Sequence, residues 1–146
     1  LVGDGSYLMM NSEIATSVMI GAKLVIVVLD NRGFGCISRL QDATSGTRYN
    51  NMLGPKAPAI DFVQHASSLG ASAVGVDGVA GLEAALVVAR RSRRTFVIVI
   101  ATDPAVGTQA GGAWWDVSVA QVPRTRAQRV ALTTYERARR RQRQGA

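Results

Sequence analysis

One cysteine, Cys36, and one histidine, His65, are all that 146 residues provide. A single cysteine excludes an internal disulfide and agrees with a cytoplasmic setting, where thiols stay reduced. With no histidine beside it in sequence, Cys36 reads as a buried, inert thiol rather than a nucleophile. His65, on a short helix with mixed neighbours, reads as structural or superficial. No apolar run reaches the length of a membrane span, and no secretory signal is visible. There is no leading methionine, and Leu1-Val2 reads as the stub of a strand, so the chain is expected to be a piece of a longer protein. Internal repeats and low-complexity tracts are missing, apart from an arginine-rich tail.

Acidic residues are scarce too, and the net charge is +7. Eight of the 17 basic residues are arginines within 124–143, opposed there by Glu136 alone. Outside that segment basic and acidic residues balance, so no basic nucleic-acid face is indicated on the body of the fold. The tail reads as a solvated terminal helix with Val130, Thr134 and Ala138 on one stripe. Tyr135 is its lone aromatic, where base stacking would want several. Neither a nucleic acid nor a membrane is expected as a partner.

What is present alternates in type. Residues 8–20 place Met10, Ile14 and Val18 at helical intervals, with Gly21 as a stop, and Met9, Met10 and Met19 read as core filling. Leu24 to Leu29 is continuously apolar, as in a strand covered on both sides. Residues 30–58 hold four glycines and two prolines and read as a long connection. A short helix capped by Asp61 follows, then a weak strand from Ala71 to Val76. An amphipathic helix with Leu82, Ala85, Leu86 and Ala89 on one stripe precedes a strong strand from Thr95 to Ile100. Strand and helix in alternation predict an α/β fold of three layers, α/β/α, with a mostly parallel sheet. The expected organisation is this domain over 1–104 and a C-terminal extension over 105–146. In the extension, Trp114 and Trp115 read as a domain or subunit contact.

Two polar clusters then fall at carboxyl ends of strands, where open α/β sheets bind ligands. One is Gly3-Asp4-Gly5-Ser6; the other runs from Asp30-Asn31 to Gly33-Phe34-Gly35. Magnesium takes oxygen ligands, usually one or two protein groups plus substrate phosphates. Asp4 offers a carboxylate, Asn31 an amide carbonyl, and Gly33 a backbone carbonyl. Gly5 and Ser6 offer backbone N–H groups, and Ser6 a hydroxyl, to a phosphate at a helix mouth. Gly-Asp-Gly by itself is only a turn signal. A Rossmann fingerprint fails because Leu8 stands where its third glycine belongs, and no lysine follows to make a Walker loop.

Gly3-Asp4-Gly5, then Asp30-Asn31 after an apolar strand, resembles the cofactor motif of thiamine-diphosphate-dependent enzymes. The resemblance implies thiamine diphosphate and Mg²⁺ as cofactors, with Asp4, Asn31 and Gly33 as metal ligands. It extends the cofactor-binding set to Gly3, Gly5, Ser6, Phe34 and Gly35. Asp30 replaces the usual first asparagine of the pair, a position that does not ordinarily ligate the metal. Within the family, three segments resemble the trihydroxycyclohexane-1,2-dione hydrolases of inositol catabolism: Gly3 to Glu13, Asp30 to Ile37 and Gly111 to Val117. That resemblance implies a cyclic dione substrate opened at a carbon–carbon bond to a deoxyhexuronate. It also implies a homodimer or homotetramer, and an activating glutamate in a domain outside this chain. No residue here takes that role, and the isolated chain is expected to be inactive. The same-fold alternative is an acetolactate-synthase-like or decarboxylase-like enzyme. An alternative of another class is a non-catalytic binding module with a basic tail.

Overall fold

Four apolar stretches become four parallel strands in the computed structural model, which describes residues 1–44, 48–106 and 119–142. In chain order the elements are β1 (Val2–Gly3), α1 (Asp4–Met10), α2 (Ser12–Met19), β2 (Val25–Asp30) and α3 (Gly35–Thr44). They continue with α4 (Phe62–Ser68), β3 (Ser72–Val76), α5 (Gly78–Arg91), β4 (Phe96–Ala101) and α6 (Arg126–Arg141). The chain divides into two units, Leu1–Gly35 with Met52–Ala105, and Cys36–Asn51 with Val106–Ala146.

In the first unit the sheet order is β1-β2-β4-β3, all parallel. β4 lies between β2 and β3, so the chain passes outward to β3 and returns through α5. Right-handed crossovers in opposite directions must cover opposite faces. The side chains agree. Val28 and Val97 pack with Tyr7, Ile14, Phe62 and Ala66 from α1, α2 and α4, whereas Val27 and Ile98 pack with Ala85 and Ala89 from α5. Adjacent residues of each central strand thus enter different layers, which is why β4 is apolar throughout and β2 is apolar up to Asp30 at its end. Val28, Val97 and Ile98 are fully buried, each stabilising the fold by about 1.5–3 kcal/mol. The expected three-layer parallel architecture is present.

Details of the elements differ from expectation. The helix anticipated over 8–20 begins at Asp4 and breaks at Asn11, whose carbonyl accepts the N–H of Ile14, three residues on. Tyr7 and Ile14 go inward, while Met9, Met10 and Met19 are 68–84% exposed and do not fill the core. Asp61 caps α4 as expected, accepting the N–H of Gln64 at 2.8 Å. A second cluster of polar groups ties α2 to the start of β4. Ser17 Oγ donates to Ile14 O and meets Thr95 Oγ1 at 2.7 Å, and Thr95 Oγ1 also accepts from Leu24 N.

In the second unit, α3 occupies a stretch expected to be loop. Cys36, on its first turn, is exposed rather than buried, and Ser38 takes the inward position. Helix α6 is present and starts with a capping box: Thr125 accepts from Gln128 N, and Gln128 Oε1 accepts from Thr125 N. Its covered stripe runs through Gln128, Ala131, Leu132, Tyr135 and Ala138, while Val130 and Thr134 are exposed. Only Ala138 of the expected stripe lies on the covered side. Arg126, Arg129, Arg137, Arg140 and Arg141 are solvated. Trp114 and Trp115 lie outside the described residues.

Candidate cofactor site

The site begins where two neighbouring parallel strands end. Gly3 closes β1 in extended backbone (φ −76°) and Asp4 opens α1, so its carboxylate stands at the carboxyl edge of the sheet. β2 ends at Asp30, one strand away, and the chain turns sharply. Arg32 and Gly33 both have positive φ, +64° and +143°. The turn returns the backbone to Asp4, whose Oδ2 accepts the N–H of Gly33 at 2.6 Å. Residues 27 and more apart in sequence thereby meet.

Asn31 completes the group. One terminal atom of its amide lies 3.1 Å from Asp4 Oδ1 and 2.8 Å from the Gly33 carbonyl oxygen. With nitrogen inward, the amide donates to both. With oxygen inward, three oxygens converge: a carboxylate, an amide and a backbone carbonyl. Oxygens at adjacent corners of an octahedron with metal bonds of about 2.1 Å lie roughly 3 Å apart. The two separations match that spacing, and the donor set is the hard-oxygen type that magnesium prefers. The set also has an electrostatic need. Asp4 is almost completely buried, and burial raises its carboxyl above the ordinary aspartate range. The Asp30 charge raises it further, while the N–H groups of Gly33, Gly5 and Asn31 pull it down. A cation would relieve the buried carboxylate. Among the described residues no three His, Cys, Asp or Glu side chains gather at one point.

Two glycines serve this geometry by their lack of a side chain. A Cβ on Gly35 would come within 2.5 Å of the Asn31 amide nitrogen, and one on Gly5 within 2.6 Å of the Phe34 ring. Gly5 and Phe34 are therefore packed together, while Ser6 is exposed on the first turn of α1. Beside Asp4, a mostly apolar cavity of about 250 Å³ is lined by Asp30, Arg32, Leu53, Phe62 and Thr102, among others. His65 lies elsewhere, its Nδ1 2.9 Å from Tyr7 Oη, with Phe62 edge-on to the Tyr7 ring. The histidine ring also stands edge-on to that of Tyr7. Sequence reasoning did not single out Arg32, which lines the cavity beside Asp4 in left-handed backbone; the signal available was its place between Asn31 and a glycine.

Residues 1–100 match the family model described as "Thiamine pyrophosphate enzyme, C-terminal TPP binding domain". The chain belongs to the thiamine pyrophosphate enzymes. Relatives in this family are 3D-(3,5/4)-trihydroxycyclohexane-1,2-dione hydrolases. That of Shouchella clausii (strain KSM-K16) is 37% identical over 125 residues, 84% of this chain and 20% of the relative. That of Geobacillus thermodenitrificans (strain NG80-2) is 35% identical over 132 residues, 84% of this chain and 21% of the relative. That of Bacillus subtilis (strain 168) is 35% identical over 130 residues, 84% and 20%. The chain thus spans about one fifth of the length of these relatives. Among solved structures, the Rhodococcus jostii RHA1 thiamine diphosphate-dependent 4-hydroxybenzoylformate decarboxylase matches with a TM-score of 0.62. The match has 20% identity and covers 70% of this chain and 19% of that one. At that identity it speaks for the thiamine pyrophosphate enzyme fold alone.

Proposed function

We propose that this chain is the cofactor-binding part of a longer thiamine-diphosphate enzyme that hydrolyses a carbon–carbon bond of trihydroxycyclohexane-1,2-dione in inositol catabolism. The observation that carries the reading is that the Asn31 amide stands 3.1 Å from Asp4 Oδ1 and 2.8 Å from the Gly33 carbonyl oxygen, the spacing of ligands at adjacent corners of an octahedron. In this reading Asp4, Asn31 and the Gly33 carbonyl would hold Mg²⁺, whose charge would anchor the cofactor's diphosphate. The Gly33 N–H stays on Asp4 Oδ2 and fixes the carboxylate's plane. Ser6, exposed beside Gly5, is within the turn that offers N–H groups to phosphate. Phe34, packed on Gly5, keeps the two segments at a constant distance. The chemistry that thiamine diphosphate supplies when bound is a carbon nucleophile that adds to a carbonyl and accommodates the negative charge left behind.

The choice of a cyclic dione is supported by the 34–37% identity to the dione hydrolases. Glu13, Glu83 and Glu136 are exposed on helices α2, α5 and α6; the family resemblance implies that the activating carboxylate belongs to a domain outside this chain. The working enzyme is read as cytoplasmic and as a homodimer or homotetramer. No helix among the described residues is long and apolar enough to cross a membrane.

The test is titration calorimetry of the full-length protein with thiamine diphosphate, with and without Mg²⁺. Binding is expected only with the metal and is expected to vanish in Asp4→Ala and Asn31→Ala. Metal-independent binding, or binding that survives both substitutions, refutes the site. Ring opening of the dione by the full-length protein, set against decarboxylation of 2-oxoacids, decides the substrate.

A further inference from the structure

We infer that Arg32 is a positioning residue, which holds the Gly33 carbonyl toward the cation by clasping the segment 52–57. The inference rests on the reading of Asp4, Asn31 and Gly33 as the ligand set.

Arg32 is a non-glycine residue in left-handed backbone, φ +64°. Such a conformation persists where neighbouring contacts over-determine it. Here its backbone N–H, its carbonyl and one guanidinium nitrogen are all engaged. Its N–H donates to Asp30 Oδ1 at 2.9 Å, and its carbonyl accepts from Leu53 N at 2.7 Å. Its guanidinium Nη2 donates to the carbonyls of Ala57 at 3.0 Å and Gly54 at 3.3 Å. Gly33 in turn pairs antiparallel with Met52.

The consequence falls on the next residue. The left-handed turn at position 32 orients the peptides on either side of Gly33. One presents the Gly33 N–H to Asp4 Oδ2, and the other brings the Gly33 oxygen to the Asn31 amide. Were Arg32 to relax to right-handed backbone, both groups would rotate away from Asp4 together. Glycine at position 32 would adopt this φ without strain, so the backbone does not explain an arginine there. The side chain does: it is long enough to reach two carbonyls across the loop, and its planar donors hold both from one nitrogen. Cation binding at Gly33 and order in the segment 52–57 are thereby coupled.

The experiment uses the full-length protein and three readouts: Mg²⁺ affinity by calorimetry at saturating thiamine diphosphate, metal-free melting temperature, and hydrogen exchange of the Leu53 amide. Arg32→Gly keeps the permitted φ and removes the clasp. Its Mg²⁺ dissociation constant is expected to rise on the order of 10–100-fold, as for other groups that orient metal ligands. The protection that Mg²⁺ confers on the Leu53 amide is expected to disappear. Arg32→Lys, which can reach one carbonyl, is expected to fall between Arg32→Gly and the parent. A merely structural arginine would lower the melting temperature and leave the Mg²⁺ constant at the parental value; that result overturns the inference. If Arg32→Gly does not fold, Arg32→Lys decides, and parental affinity together with parental Leu53 protection overturns it. Asp4→Ala and Asn31→Ala run alongside. If they abolish Mg²⁺ binding while both Arg32 variants retain it, the Arg32 assignment alone fails. If they too leave it unchanged, the ligand set fails and the inference with it.

Discussion

Replacing Gly35 by alanine should separate cation affinity from stability. Gly35 opens α3 with a backbone that alanine can adopt, and helix propensity favours alanine over glycine by about 1 kcal/mol. The added methyl would stand 2.5 Å from Asn31 Nδ2, 3.0 Å from its Cγ and 3.1 Å from its Oδ1. Ordinary carbon contacts begin near 3.5 Å, so the amide must retreat by roughly 1 Å. That end of Asn31 belongs to the same planar amide as the atom facing Asp4 Oδ1 and Gly33 O, and it cannot retreat without moving its partner. The amide can rotate away, which keeps the strain of overpacking near the lower end of about 1–3 kcal/mol. Strain and propensity largely offset each other, and the metal-free melting temperature should change little. Affinity has no such offset. A displacement of about 1 Å in a positioned group commonly costs on the order of 100-fold. Calorimetric titration of Mg²⁺ into the full-length protein with thiamine diphosphate should therefore show weakening of about 10–100-fold. Gly75→Ala, where the new methyl meets only Val63 Cγ2 at 3.6 Å, is the control. Parental Mg²⁺ affinity in Gly35→Ala, with the protein folded, would refute the role given to Asn31.

Thr95→Val keeps the shape of a buried side chain but leaves the Leu24 N–H without its acceptor; a loss of about 1–3 kcal/mol is expected by denaturant titration, with Thr95→Ser much milder. Asp4 should give the metal-free protein a distinctive pH response. Its folded-state pKa is raised by burial and by Asp30, so its favourable increment is fully present below the pKa of an unfolded aspartate and is lost as pH rises through the raised value. Mg²⁺ requires the carboxylate, so affinity should run the opposite way and fall as pH drops through that range. Melting curves across pH with and without Mg²⁺ check both trends, and Asp4→Asn should flatten the first. Thr125→Ala removes half of the capping box on α6 and should lower stability by about 0.5–2 kcal/mol, read by denaturant titration of the full-length protein.

Much of the fold is written in short stretches of the chain. The unbroken apolar runs that became β2 and β4 need no partner to be recognised, because a strand covered on both faces has no polar side. Asp61 ahead of an apolar segment marks a helix start for a reason confined to four residues, the orphan N–H groups of the first turn. The pairing of Asp4 with Asn31 was legible as well, because each stands just past a strand, and parallel strands deliver their carboxyl ends to one edge of the sheet.

The remainder depended on contacts between distant residues. Met9, Met10 and Met19 are as apolar as Ile14, and only packing against the sheet decides which of them faces it. The stripe of α6 through Ala131, Leu132 and Tyr135 differs from the one through Val130 and Thr134 by a rotation that a sequence full of small and polar residues does not determine. α3 hides in a stretch whose glycines read as loop, yet Gly35 is there because the Asn31 amide leaves no room for a side chain. The left-handed turn at Arg32 is invisible until the carbonyls of Gly54 and Ala57 arrive from across the loop. Local propensity acts through the nearest few residues, so the sequence by itself determined the strands, most of the helices and which two clusters would meet. Exclusion of one atom by another is a property of space rather than of chain position, so only the tertiary structure decided the distances at which the oxygens of Asp4, Asn31 and Gly33 stand.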